Sequence, residues 1–325
     1  MTHAPNSPAL IDIHAHFLPP WYVEEAVGAG LVVPDGTPGW PSWSVDDHLR
    51  LMDANGITTS VLSISSPGVH FGDDARAAAL AIRVNDFAAE VCAEHPDRFD
   101  FFATLPLPAV DASLAEAIRG LDELGAVGVA VGSNAQGAYL NNAQNAELWR
   151  ELDSRGATVF MHPQSPAGWE LTSLDLPRSM IEFLFDSTRS VIALALDGTF
   201  ETYPGLQLVV PHCGAMLPLV ADRVDLFQKR MLPAAPYPAG SKRVASETLR
   251  DLWYDLAGTP MPTQASALVN LVGDSHVLFG SDHCFAPPAL VAEQIASLDE
   301  QWRERIGGDW RELTTANAVR LLRHS

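Results

Sequence analysis

The chain has 325 residues, 47% hydrophobic and 18% charged, which is the composition of a folded, well-buried protein rather than a disordered one. Forty acidic residues against twenty basic ones give a formal net charge of −20, and so acidic a surface excludes nucleic acid and anionic membrane as partners. The three cysteines, Cys92, Cys213 and Cys284, are odd in number and form no C-x-x-C pair. With no basic or apolar leader at the N-terminus and no apolar run of about 18 residues, the expectation is a cytoplasmic protein without a membrane span.

In chain order, short apolar runs alternate with amphipathic helical patterns. Strands are predicted over residues 9–13, 58–64, 100–104, 127–131, 158–161, 206–210, 252–256 and 276–280. Helices are predicted over 45–55, 73–95, 111–124, 143–155, 178–188, 214–230, 262–272, 287–297 and 309–323. Eight strands separated mostly by helices match an α/β (β/α)₈ barrel, which needs about 250 residues. The surplus falls in long loops at 17–44, 162–177 and 231–243, rich in Pro, Gly and Trp and placed to cover the C-terminal mouth. No G-x-G-x-x-G turn follows a strand, which weakens the rival doubly wound sheet.

The eleven histidines sort by position. His14 and His16 close the first strand; residues i and i+2 share a face, so both rings point to the barrel mouth while Ala15 faces the wall. His162 ends the fifth strand, His212 the sixth, and Asp282 and His283 follow the eighth. Neutral imidazole is a common metal ligand, and with carboxylate it suits zinc or manganese. His162 and Asp282 can complete a mononuclear site with an open position. His70, in a Gly-rich loop past the second strand, is a candidate substrate contact. His3, His48, His95, His276 and His324 read as ordinary structural or terminal residues.

The segments "DIHAHFLPP", "FATLPLP", "VFMHP", "GTFETYPGLQLVVPHCG" and "LFGSDH" resemble the amidohydrolase superfamily. They resemble most its decarboxylase branch, which contains aminocarboxymuconate-semialdehyde, γ-resorcylate and 6-methylsalicylate decarboxylases. The resemblance runs from about residue 10 to residue 320, so residues 1–325 are expected to form one distorted TIM-barrel domain. It implies that His14, His16, His162 and Asp282 hold one divalent ion, Zn²⁺ first and Mn²⁺ as the alternative, with no organic cofactor. It also implies an acid/base role for His212, and a homodimer or higher homo-oligomer in which Arg223 reaches the neighbour's substrate. The competing reading of Arg223 is a solvated helix face shared with Asp222 and Asp225. Residues 17–49 contain no arginine, unlike the semialdehyde decarboxylase, and carry Phe17, Trp40 and Trp43 instead. That favours a flat aromatic acid, with Phe17, Trp43 and His283 as further candidate contacts.

Only two lysines occur, Lys229 and Lys242, and neither ends a strand. A binuclear site bridged by carbamylated lysine is thereby excluded, as is a Schiff base. The expected function is non-oxidative decarboxylation of a small 2-hydroxybenzoate-like or unsaturated acid, with Asp282 or His212 delivering the proton. The alternative is a mononuclear hydrolase of an amide, lactone or ester, in which Asp282 accepts a proton from metal-bound water.

Overall fold

The stretch LIDIHAH forms the first strand, β1 (Leu10–His16), of a computed structural model that describes residues 9–231 and 240–322. The remaining strands are β2 (Ile57–Ser63), β3 (Phe99–Phe101), β4 (Ala103–Thr104), β5 (Val129–Gly132), a hairpin of β6 (Asn134–Ala135) and β7 (Ala138–Tyr139), β8 (Thr158–His162), β9 (Gln207–Val210), β10 (Trp253–Asp255) and β11 (Val277–Leu278). Strands β1, β2 and β3 pair in that order, and β4, β5, β8, β9, β10 and β11 continue in parallel. β3 and β4 are one strand interrupted at Phe102, whose N–H donates to Leu62 O at 2.9 Å. Parallel bridges Asp12 to Phe279 and Ala15 to His283 join β11 back to β1. The ring is therefore closed, and the eight-strand α/β barrel expected from the sequence is the architecture.

Each expected strand coincides with an observed one, and each expected helix overlaps an observed helix. The caps explain two of the cleaner boundaries. Ser44 accepts the Asp47 N–H and Gly56 closes the same helix (Val45–Asn55) at φ 71°, while Asp73 accepts the Arg76 N–H ahead of Asp74–Glu94. The segment 17–44, expected as loop, contains a helix at Pro20–Gly28, begun by proline in its first turn. Most of the expected loop 231–243, like His3 and His324, lies outside the described residues.

The barrel interior has two storeys. Ile13, Val61, Phe102, Ala130, Phe160, Val209, Trp253 and Leu278 form a buried apolar floor, closed by Ala318 and Leu321 of the last helix (Trp310–Leu322). The register of β1 against β2 shifts between Asp12 and Ala15. That bulge lets Ile13 join the floor while the next residue, His14, faces the storey above. From there alternation resumes, with Ala15 in the wall and His16 inward. Backbone crowding is severe at this level. A Cβ at Gly280 would lie 2.6 Å from the His14 Cβ and 3.2 Å from Asp255, so glycine is what admits these two side chains.

Candidate metal centre and substrate cavity

The upper storey is built from strand ends. β1 supplies His14 and His16, β8 supplies His162, β10 supplies Asp255, and the turns after β9 and β11 supply His212 and Asp282. His14, His16, His162 and Asp282 each offer a ligand atom, and these atoms all lie within 4.8 Å of one another. His14 Nε2 and His16 Nε2 are 3.1 Å apart, and Asp282 Oδ1 is 3.4 Å from the first and 3.2 Å from the second. Two donors bound at 2.0–2.1 Å to a tetrahedral ion stand about 3.4 Å apart, so these separations suit a shared ion.

The outer nitrogens decide the tautomers. His162 Nδ1 donates to the Pro163 carbonyl at 2.7 Å. His16 Nδ1 donates toward Ser63 Oγ at 3.1 Å and Ser63 O at 3.3 Å, while the Ser63 hydroxyl itself donates to Ala15 O. His14 Nδ1 donates to Asp255 Oδ2 at 2.9 Å. Carbonyl and carboxylate oxygens only accept, so each Nδ1 carries its proton and each neutral ring turns a bare Nε2 inward. Three lone pairs and a carboxylate converge where only a cation or an added proton relieves them. The donor set therefore fits a divalent metal.

The electrostatics fit neutral rings at His16 and His162 and an added proton at His14, which a metal would displace. Burial pushes His16 below the usual imidazole range and His162 well below it, which keeps both neutral. His14 is also opposed by burial, but Asp255 and then Asp282 outweigh it and push its pKa up to about 10. Asp282 is held well below the carboxylate range: burial raises its pKa, but the imidazoles of His14 and His16 beside it outweigh that. Behind them Asp12 Oδ1 accepts the N–H groups of His14 and Ser281 at 3.1 and 2.9 Å, and burial raises its pKa to about 7.

Beside this cluster lies a cavity of about 160 Å³, bordered by Asp35, His162, Phe183, His212, Asp282 and Phe285 among others. A cavity of about 150 Å³ holds one benzene ring, so this space takes a single small aromatic. Asp282 is the ligand with most exposure, 22% of its side chain, against none for His14 and His16. His212 stands with its ring 5.2 Å from that of His14, centre to centre, and its backbone N–H donates to Asp255 Oδ1 at 3.0 Å. Burial lowers the His212 pKa, so the ring is neutral at pH 7. Asp282 and His212 both sit at positive φ, 60° and 53°, a backbone strain that concentrates at functional turns.

Other expected contacts fall elsewhere. Phe17 is fully buried and packs against Trp43 and Phe87. Trp43 donates its indole N–H to His48 Nδ1 at 3.0 Å, and the His283 ring lies 4.8 Å from that of His48. Phe17, Trp43 and His283 thus pack within the fold, and none of them borders this cavity. His70 borders an outer cavity of about 500 Å³ and pairs with Asp74 at 2.8 Å. Arg223 lies exposed on the helix Leu217–Arg230, over the ring of Phe227, and away from this chain's own cavity. The sequence reading missed Asp255, Phe183, Phe285 and Asp35. Asp255 was visible as the one acidic residue in the strand "LWYDL".

The amidohydrolase family model matches residues 11–323, and the chain belongs to that family. Within it, the chain is 33% identical over 291 residues to the 6-methylsalicylic acid decarboxylase of Penicillium expansum, covering 86% of each protein. It is 30% identical over 331 residues to the decarboxylase macB of Penicillium terrestre, covering 96% of this chain and 94% of that one. A dihydroxybenzoic acid decarboxylase from a Polaromonas species, solved with manganese and 2-nitroresorcinol, superposes with a TM-score of 0.83 at 24% identity over 97% of both chains, a likeness of fold.

Proposed function

We propose that this protein is a metal-dependent carboxy-lyase that removes carbon dioxide from a small 2-hydroxybenzoate-like acid. The observation that carries the reading is the convergence of three inward-facing Nε2 atoms and the Asp282 carboxylate on the edge of a ring-sized cavity. His14, His16, His162 and Asp282 would hold one divalent ion. Manganese in the Polaromonas structure supports Mn²⁺, and imidazole with carboxylate also suits Zn²⁺. When bound, the ion supplies positive charge that attracts the acid and stabilises charge developing on its oxygens.

The chain's own residues do the rest. Breaking the bond from aryl carbon to carboxylate leaves a carbanion unless that carbon is protonated first. Asp282, the ligand most open to the cavity, takes the proton that the phenol of the bound acid gives up and passes it to the ring carbon. His212, on the same cavity wall, polarises the carboxylate and orients Asp282. Loss of carbon dioxide then restores the aromatic ring. Phe183 and Phe285 give the ring apolar surface and keep water out.

The family similarity to decarboxylases favours this over the hydrolase reading, which the same mononuclear site allows. The deciding experiment incubates the metal-loaded protein with hydroxybenzoates and scores carbon dioxide release, with aryl esters, amides and lactones in the same panel. Hydrolysis without carbon dioxide release would reverse the assignment. A homodimer belongs to the same proposal. Leu219, Arg223 and Leu226 share one exposed helix face at i, i+4 and i+7, and the inner cavity has no lysine or arginine of its own among the described residues. Arg223 from a second copy would supply that cation; light scattering together with Arg223→Ala tests it. A cytoplasmic location fits three free cysteines, and among the described residues no helix is long and apolar enough to cross a membrane.

A further inference from the structure

Asp35 is a carboxylate with no place in the chemistry above, yet it borders the same cavity as Asp282 and His212. It also borders the outer cavity, together with Pro34 and Ser66, so it stands where the two spaces meet. Its position is built. The turn Pro34–Gly36 puts Asp35 at φ 51°, a conformation that aspartate and asparagine tolerate better than most residues. Arg178 Nε donates to Ser165 Oγ at 2.7 Å, and the Ser165 hydroxyl donates to Asp35 Oδ1. The Arg178 guanidinium lies 4.0 Å over the Trp169 ring and 3.8 Å from Asp35 Oδ1. The carboxylate is thus held from outside the cavity, with only 8% of the side chain exposed. Both of its partners among the described residues meet Oδ1, which leaves Oδ2 without one. A carboxylate oxygen that borders a cavity takes its donor from what fills that cavity.

We infer that Asp35 is a specificity-determining residue: it accepts a hydrogen bond from a second hydroxyl on the substrate ring and repels a second carboxylate there. The inference rests on the carboxy-lyase reading for the location of the ring and extends it to a substrate class, ring acids bearing a further hydrogen-bond donor. A methyl group at the same ring position would cover Oδ2 and leave it unpaired. A charge-assisted hydrogen bond, lost in that way, gives about tenfold discrimination or more.

The test uses the full chain loaded with Mn²⁺ and a panel of 2-hydroxybenzoate, its ring-hydroxylated isomers, the matching methyl isomers and the benzenedicarboxylates. Preference is read as the ratio of kcat/KM where carbon dioxide is released and as the ratio of Kd where it is not. The wild type should favour one dihydroxy isomer over its methyl counterpart about tenfold or more, and reject the diacids. Asp35→Asn keeps the turn but removes the charge, and should admit the diacids at least severalfold better. Asp35→Ala should bring the hydroxyl-to-methyl ratio close to one. Ser165→Ala, which frees the carboxylate from its anchor, should give an intermediate ratio. A purely structural role for Asp35 would weaken every ligand alike and leave the ratios standing. Ratios that survive both Asp35 variants, or a wild type with no such preference, overturn the inference. Selective binding without carbon dioxide release would instead sink the carboxy-lyase reading and leave Asp35 in place.

Discussion

The two storeys of the barrel interior are made by the same strands and obey different rules. In β8, Phe160 belongs to the floor and His162, two residues on, to the mouth; in β10, Trp253 and Asp255 divide the same way. Below, apolar side chains interlock and the helix Trp310–Leu322 seals the end. Above, the imidazoles of His14, His16 and His162 are tied on their outer edges so that their inner edges converge on one another. The floor gains stability from filled volume. The mouth holds buried polar groups in an arrangement that is complete only with a ligand, and its strained turns at His212 and Asp282 add to that cost. Phe160, 4.9 Å from the His14 ring, couples the storeys.

Substitutions should separate these roles. The largest effect is expected at the ligands. His162→Ala should lose the metal and lower turnover by about 10⁴-fold or more, about 5.5 kcal/mol. Metal analysis checks the loss, and thermal unfolding of the metal-free proteins should differ little. Removing the metal from the wild type should likewise abolish ligand binding, because the chain's −20 charge otherwise repels the acid. His212→Gln should keep a full complement of metal while kcat falls about 10²–10⁴-fold. If that variant emerges without metal, His212 is a ligand and the division of roles is wrong. Leu278→Ala, in the floor, should reverse the pattern. It should cost about 2–5 kcal/mol in denaturant unfolding, while the folded variant binds metal as the wild type does.

Much of this division is legible in the sequence. The eight apolar runs are strong period signals, and His-x-His at a strand end needs only alternation to place two rings together. What escaped was set by contacts distant in sequence. The bulge at Ile13–His14 depends on β2, and nothing in LIDIHAH marks it. Asp255 looks like a stray acid in an apolar strand until β1 brings His14 beside it. Asp35 acquires its orientation from Ser165 and Arg178, more than a hundred residues later. Phe17 and Trp43 could not be placed from the sequence alone, because an aromatic in a loop looks the same whether it lines a cavity or plugs the wall.

The smallest expected effect is the most discriminating between the storeys, because it changes one atom type. Asp255 Oδ1 accepts the N–H groups of His212 and Ala257, and Oδ2 accepts His14 Nδ1. In Asp255→Asn the amide oxygen must stay with the two backbone N–H groups, so the NH₂ faces His14. His14 Nδ1 then has to accept, and the ring's proton moves to Nε2, into the middle of the ligand set. Metal affinity should fall about 10–100-fold. Its pH dependence should change as well. In the wild type His14 retains a proton up to about pH 10, held by Asp255 and Asp282. The incoming ion must displace it, so affinity rises as pH rises through the neutral range and each ion bound releases a proton. In the variant the carboxylate that stabilised the charged ring is gone, so less proton is released near pH 7 and the slope flattens. Affinity nonetheless stays low, because the obstacle is a neutral ring in the wrong tautomer. Metal titrations at several pH values, with proton release followed by an indicator, read both quantities. A variant that regains wild-type affinity at high pH would show that charge, and not tautomer, is what Asp255 controls.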